Sequence, residues 1–229
     1  KKIDIIHSFW LNETTYFANK IANKFKLPII ATAQGQDVLD SNNYLQKINW
    51  KEIMICCISN FQKIKLENQI NEPIKVINLG VEKPLSIEKE FDLIGVGNLI
   101  KLKNFRYFIE LCQELKKYNP KFRAKIIGKG QERGELLDLI EVNNLLNNIE
   151  LVGELSYKET QLQISKAKIL VHPSNFEGFG MVLIEALANQ THVLSSPVGI
   201  AYDESSIVKL SFDIKNDLGL ITDLLISEL

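Results

Sequence analysis

Cysteine, histidine and tryptophan are scarce in this chain of 229 residues, with three, three and two respectively. Cys56 and Cys57 sit side by side in the apolar run "IMICCIS" and Cys112 stands alone. An adjacent pair is badly placed to bridge and no metal-ligand spacing appears, so the three read as reduced packing residues. His7, His172 and His192 are isolated from one another at the ends of apolar runs, which argues against a metal site. No apolar run approaches the roughly 18 residues that span a bilayer, and the opening "KKIDIIHSFW" lacks a signal peptide's long apolar region and cleavage site. The expected location is therefore cytoplasmic. No dense basic stripe with interleaved aromatics occurs, so no nucleic-acid partner is expected. Net charge is −1, divided as 11 Lys against 8 acids (+3) in residues 1 to 84 and 16 basic against 20 acidic residues (−4) in 85 to 229. The lysines of the first part allow a peripheral contact at the inner face of a membrane, and scattered solvated lysines account for them equally.

What is present is an alternation of short apolar runs with amphipathic stretches, the pattern of βα units and a parallel sheet. The expected strands are "DIIHS", "PIIATAQ", "EIMICCIS", "IKVINL", "FDLIGVGN", "AKIIGKG", "NIELVG", "KILVHPS" and "HVLSSPV". Their near-continuous hydrophobicity suits strands buried on both faces. In "SNFQKIKLENQ", Ser59 can cap a helix whose apolar side is Phe61, Ile64 and Leu66. The stretch "NFRYFIELCQELKKY" carries Phe105, Phe108, Ile109, Leu111, Cys112 and Leu115 near helical spacing, with Pro120 as the stop. Ser156 and Glu159 form a capping box. The polar segment 79 to 91, with Pro84, reads as a linker. It separates a first domain, residues 1 to 84, from a second, residues 85 to 229. At that length the first looks incomplete.

Four strands of the second domain run into glycine-bearing turns: "GVGNLIKLKN", "IIGKGQE", "LVGE" and "EGFGM". In open parallel sheets, ligands sit at the carboxyl ends of strands, where such turns expose N–H groups to an anion. Each turn alone is weak evidence, since glycine after a strand is usually just a tight connection. Taken in order, "VGNLIKLKN", "IIGKGQE", "LVGELS", "LVHPSNFEGFGMVLIEALA" and "SSPVG" closely resemble the C-terminal domain of the retaining glycosyltransferases of glycosyltransferase family 4, over nearly all of residues 91 to 200. "EGFG" and the glutamate eight residues after its first match that family's Glu-x7-Glu motif. The resemblance implies an α/β chain of the GT-B type, two Rossmann-like doubly wound parallel-sheet domains facing a cleft. "DIIHSFW", "IIATAQGQD", "ISNFQ" and "KVINLGVE" look like the later half of the family's acceptor-side domain. The family's opening strand and glycine-rich loop are then expected before residue 1, and its final crossing helix after residue 229.

The residues themselves say that "GFG" before "MVLIEAL" leaves free N–H groups at a helix start, with Gly178 and Gly180 permitting close approach. Glu185, an acceptor-only carboxylate among Val182, Leu183, Ile184, Ala186 and Leu187, needs donors if that face is buried. By resemblance, Glu185 binds the ribose hydroxyls of the nucleotide. Glu177 meets the donor sugar and stabilises positive charge as its bond to phosphate loosens. Lys103 matches the family's lysine near the leaving diphosphate, while its usual arginine is Asn98 here, leaving the charge to be shared with a neighbour such as Lys101. Gln34 stands where many relatives have histidine near the donor sugar. Backbone at Gly128 and Val152 is expected beside the base and Ser174 near the phosphates. Gly97, Phe179, Gly180 and Met181 complete the substrate-binding set. Neither metal nor cofactor is required by the resemblance. A nucleotide diphosphate sugar, UDP- or GDP-linked, is the donor, and a saccharide or lipid-linked molecule in cell-surface assembly the acceptor. Asn98 and Gln34 keep one rival open, a nucleotide-sugar-binding relative without transfer activity; a second rival is another GT-B class, a nucleotide-sugar epimerase or a phosphorylase. A phosphorylase would need a lysine for pyridoxal phosphate, and no such motif appears.

Overall fold

The structure is a computed structural model that describes residues 2–82 and 87–226. Pro84 and the expected domain boundary between residues 84 and 85 lie outside the described residues. The chain divides into two compact units. One holds Lys1–Gly80, Phe176–Gly180 and Val198–Asp203; the other holds Val81–Asn175, Met181–Pro197 and Glu204–Leu229.

The first unit carries β1 (Ile6–Phe9), α1 (Glu13–Phe25), β2 (Ile29–Thr32), β3 (Ile53–Cys57), α2 (Asn60–Glu67) and β4 (Ile74–Val76). Its strands form one parallel sheet in the order β1-β2-β3-β4, so every connection winds the same way. Ala31, Ile55 and Cys57 are fully covered, as the apolar runs imply. α2 begins at its expected cap, Ser59 accepting the Gln62 N–H at 3.2 Å, and α1 is capped by Asn12, which accepts the Thr14 N–H at 2.9 Å. One expectation fails on α2. Leu66 is buried, but Ile64 is exposed, because the buried side of this short helix is set by Gln62 and Leu66, four residues apart. Phe61 instead stacks against Phe176 at 5.8 Å and Tyr202 at 6.0 Å.

In the second unit, β5 (Phe91–Val96), α3 (Phe105–Tyr118), β6 (Ala124–Ile127), α4 (Arg133–Val142) and β7 (Ile149–Gly153) are followed by α5 (Tyr157–Lys166), β8 (Ala167–His172), α6 (Met181–Ala188), β9 (His192–Ser195), β10 (Val208–Lys209) and α7 (Ile214–Ile226). The parallel sheet runs β10-β9-β8-β5-β6-β7. The chain winds outward from β5 in one direction, then returns to β8 on its other side. That reversal between β5 and β8 is the switch point at which doubly wound sheets bind ligands. The core lies between this sheet and the helices, and α3 supplies the largest share. Phe105, Phe108, Ile109, Leu111, Cys112 and Leu115 are all at most 2% exposed, each large side chain contributing about 1.5–3 kcal/mol by leaving water. The Ser156–Glu159 capping box forms in both directions. All three cysteines are buried thiols; burial pushes Cys57 up to about 11 and raises Cys112 further, so neither is a ready nucleophile. Among the described residues no helix is long and apolar enough to cross a membrane.

Candidate functional site

In the second unit the turns after β5, β6 and β7 are laced together by their backbones. Gly97 N–H donates to Ile127 O (3.0 Å), Gly128 N–H to Gly153 O (2.8 Å), Leu99 N–H to Lys129 O (2.8 Å) and Glu132 N–H to Leu99 O (3.0 Å). Gly128 has φ +146, and a Cβ built on it would fall 1.8 Å from Gly97 O. No side chain fits there, so the two turns touch backbone to backbone. The stem of Lys103 runs over Gly97, its Cδ and Cε 3.6 Å from where a Cβ would be. Asn98, in the same turn, is exposed. Across the switch point, Ser174, fully buried, donates its hydroxyl to Leu102 O at 3.2 Å, and Asn175 N–H donates to the same carbonyl at 2.8 Å. The turn after β8 is thus tied to the one after β5. Gly97, Asn98, Lys103, Gly128 and Ser174 therefore gather along one sheet edge, with Val152 in the last residues of β7 beside them.

Glu185 stands apart from that row. It lines a cavity of ≈ 390 Å³ with Val81, Glu82, Tyr157, Lys158, Gln161, Leu162, Ala188 and Asn189, and none of the five residues gathered at the sheet edge lines it. Glu185 is half-buried, and burial raises its carboxyl above the usual range while the Gln161 amide beside it pulls it down. Asn189 Nδ2 donates to Gln161 Oε1 (3.0 Å) and to Glu185 O (2.8 Å), fixing both. Gln161 Nε2, also buried, meets no acceptor at full hydrogen-bond geometry among the described residues. The carboxylate thus faces a partly apolar cavity with acceptor capacity to offer.

In the first unit, the Asp37 carboxylate accepts from the N–H groups of Leu11 (2.7 Å), Gln34 (3.2 Å) and Gly35 (2.7 Å) and so shapes the Gln34 turn at the carboxyl end of β2. Glu177, Gly178, Phe179 and Gly180 belong to this unit. Ser59 Oγ donates to Gly178 O at 2.7 Å, and Gln62 Nε2 to Gly35 O at 3.2 Å, while Gln62 Oε1 accepts from Ile58 N–H at 3.1 Å. Both side chains are fully buried. A Cβ on Gly178 would lie 2.6 Å from Gln34 O and 3.1 Å from Gly35 Cα, so the two turns meet at a point only glycine can occupy. Ile200 N–H donates to Phe179 O at 2.7 Å, and Gly180, at φ +87, turns the chain into Met181, the first residue of α6.

Residues 80–204 match the family model of the glycosyl transferases group 1. The chain belongs to that family. Among curated group 1 relatives it is 29% identical over 205 residues to an uncharacterized glycosyltransferase of Methanocaldococcus jannaschii, covering 86% of this chain and 57% of that protein. It is 31% identical over 143 residues to the O-antigen chain mannosyltransferase of Salmonella typhimurium, covering 61% of this chain and 40% of the other. The chain thus spans about half the length of these relatives. Its fold is the GT-B fold: a TarM mutant of S. aureus, solved in complex with fondaparinux, α-GlcNAc-glycerol and UDP, superposes with TM-score 0.78 at 18% identity over 93% of this chain and 47% of that one.

Several contributors to this group 1 site escaped the sequence reading. Ser59 was legible as a cap but not as the anchor of Gly178, which lies 119 residues on. Asp37, Gln62 and Gln161 carried no signal beyond polarity. His7 is the second residue of β1 rather than its end, because that strand runs on to Phe9; its Nε2 bonds Thr32 Oγ1 at 2.8 Å. Among the described residues no cluster of three or more His, Cys, Asp or Glu could hold a metal ion.

Proposed function

We propose that the protein is a retaining glycosyltransferase of family 4 that moves a sugar from a UDP- or GDP-linked donor to a saccharide or lipid-linked acceptor in cell-surface polysaccharide or glycolipid assembly. The observation that carries this reading is Glu185, a half-buried carboxylate with raised proton affinity on the wall of a 390 Å³ cavity, eight residues after Glu177. A carboxylate in that setting suits two donor hydroxyls, as on a ribose. TarM, which shares the fold, binds UDP, and the Salmonella relative builds an O-antigen chain.

In this reading the diphosphate lies near Gly97, Asn98 and Ser174 and the base beside the backbone at Gly128 and Val152, while the turn of Gly178, Phe179 and Gly180 with Met181 leaves N–H groups at the start of α6 for an anion. The bond from the sugar's anomeric carbon to the β-phosphate oxygen breaks with both electrons going to phosphate. Lys103 stabilises that developing charge, with Asn98 adding a neutral hydrogen bond in place of a second cation. Glu177 positions the sugar and stabilises its positive charge, and Gln34 holds a sugar hydroxyl. The acceptor oxygen then bonds to the anomeric carbon on the face that phosphate leaves, giving its proton to the departing phosphate. The reading needs no cofactor and no metal. Asn98 and Gln34, standing where the family usually has arginine and histidine, favour one second reading, nucleotide-sugar binding without transfer.

A panel of UDP-glucose, UDP-galactose, UDP-N-acetylglucosamine and GDP-mannose, followed by release of UDP or GDP and by the anomeric configuration of the product, tests the reading. Release of the nucleotide with an axial product from an axial donor supports it. An inverted product or a free sugar epimer overturns it.

A further inference from the structure

Trp10 is a second feature of the first unit's strand ends. It follows β1 directly and holds φ +71, a backbone region that a bulky side chain enters only when the surroundings enforce it. Three bonds do so: Trp10 N–H donates to Thr32 O at 3.0 Å, Thr15 Oγ1 donates to Trp10 O at 2.7 Å, and Leu11 N–H donates to Asp37 at 2.7 Å. The result is a tryptophan that is 46% exposed yet fixed, its benzo edge 3.1 and 3.2 Å from where a Cβ on Gly35 would sit. Phe9 beside it is also exposed and stacks on His7 at 4.2 Å.

An amide side chain lies two residues on in sequence. Asn12 uses its oxygen to cap α1; no hydrogen bond is formed by its NH₂ among the described residues. A fixed, half-exposed tryptophan with an amide two residues on matches a pyranose, whose C–H face stacks on an aromatic ring while its rim hydroxyls bond to amides. Gly35, under the indole, is next to Gln34, whose carbonyl meets Gly178, next to Glu177. We propose that Trp10 is the platform on which the acceptor saccharide stacks, with Asn12 as a polar contact. This rests on the glycosyl-transfer reading above for the word acceptor; the carbohydrate site itself rests on Trp10 alone.

The sequence contains two tryptophans, and Trp50 is buried with its indole N–H on Leu45 O. Acrylamide quenching of tryptophan emission in the full chain therefore reports on Trp10. Methyl α-glucoside, methyl α-mannoside, N-acetylglucosamine and maltose, added singly at millimolar concentration, are the probes. At least one is expected to lower the quenching constant roughly two-fold as it covers the exposed face, and to have no effect in Trp10→Phe with emission read from Trp50. UDP titration runs in parallel. Saccharide protection without UDP binding sinks the transfer reading and keeps the platform, whereas UDP binding with no protection by any of the four overturns the platform and keeps the transfer reading. Where wild-type turnover is found, Trp10→Ala should raise the acceptor KM about ten-fold with donor KM unchanged; an unchanged acceptor KM also overturns the proposal.

Discussion

The Ser59 hydroxyl donates to the Gly178 carbonyl at 2.7 Å while accepting the Gln62 N–H, so one buried side chain both starts α2 and fixes the turn that carries Glu177. Ser59→Ala removes both bonds and should cost about 1–2 kcal/mol, measured by urea unfolding. Hydrogen exchange should quicken in the peptide spanning residues 174 to 181. Ser59→Thr, which keeps the hydroxyl, should restore much of the protection. Unchanged exchange in Ser59→Ala would show that the turn is held by its other contacts.

Gly128 and Gly134 give a matched pair. A Cβ at Gly128 would collide with Gly97 O and would sit at φ +146, whereas nothing lies within 4 Å of a Cβ at Gly134 in the first turn of α4. Gly128→Ala is expected to destabilise by about 1–3 kcal/mol and to weaken any nucleotide binding, because the turns after β5 and β6 must separate. Gly134→Ala is expected to stabilise by about 0.5–1 kcal/mol. Thermal melts of the two variants check both signs.

Lys89 sets a pH dependence. Its Nζ donates to Ser165 O, Asn189 O and Thr191 Oγ1, and burial lowers its pKa to about 8. The unfolded chain holds that proton up to about 10.4, so between pH 8 and that value the unfolded state binds more protons. The penalty for the buried ammonium is full below pH 8 and is relieved as pH rises through the window. The melting temperature of the wild type relative to Lys89→Met should therefore climb from pH 8 to pH 10. A flat difference would show that this ammonium keeps its water.

Much of this architecture was legible in the sequence. The nine apolar runs all contain strands, and the caps at Ser59 and Ser156 form as their spacing predicts. Such features are local, set by side-chain period and by one or two neighbouring residues. The tenth strand was missed: Val208–Lys209 has only two residues and pairs solely with β9. Nor does the sequence reveal that Phe176–Gly180 and Val198–Asp203 cluster with residues 1–80. That arrangement depends on bonds such as Ser59 to Gly178, whose partners are distant and whose donor already has a local explanation. At the candidate site, glycines and glutamates could be singled out by type. Their supports, Asp37, Gln62, Gln161 and Asn189, are ordinary polar residues whose role exists only after folding.

Glu185 is expected to act in opposite directions on stability and on nucleotide binding. Burial raises its carboxyl above the value of the unfolded chain, so stability is lost as pH rises through the raised pKa and the group ionises in place. Glu185→Gln should therefore melt higher than wild type at pH 7, and the gain should vanish near pH 4, where both side chains are neutral. A lower melting temperature at pH 7 would show the ionised carboxylate to be well solvated or paired.

The central claim, a nucleotide pocket built on Glu185, is tested most directly by calorimetric titration of UDP and GDP into the wild-type chain and Glu185→Ala, at matched pH 7.5 and salt. One nucleotide should bind wild type at one site per chain and stabilise it by about 2.7 kcal/mol at 100 times its Kd, with that binding lost in Glu185→Ala. Binding of neither nucleotide, or equal affinity in the variant, would contradict the account.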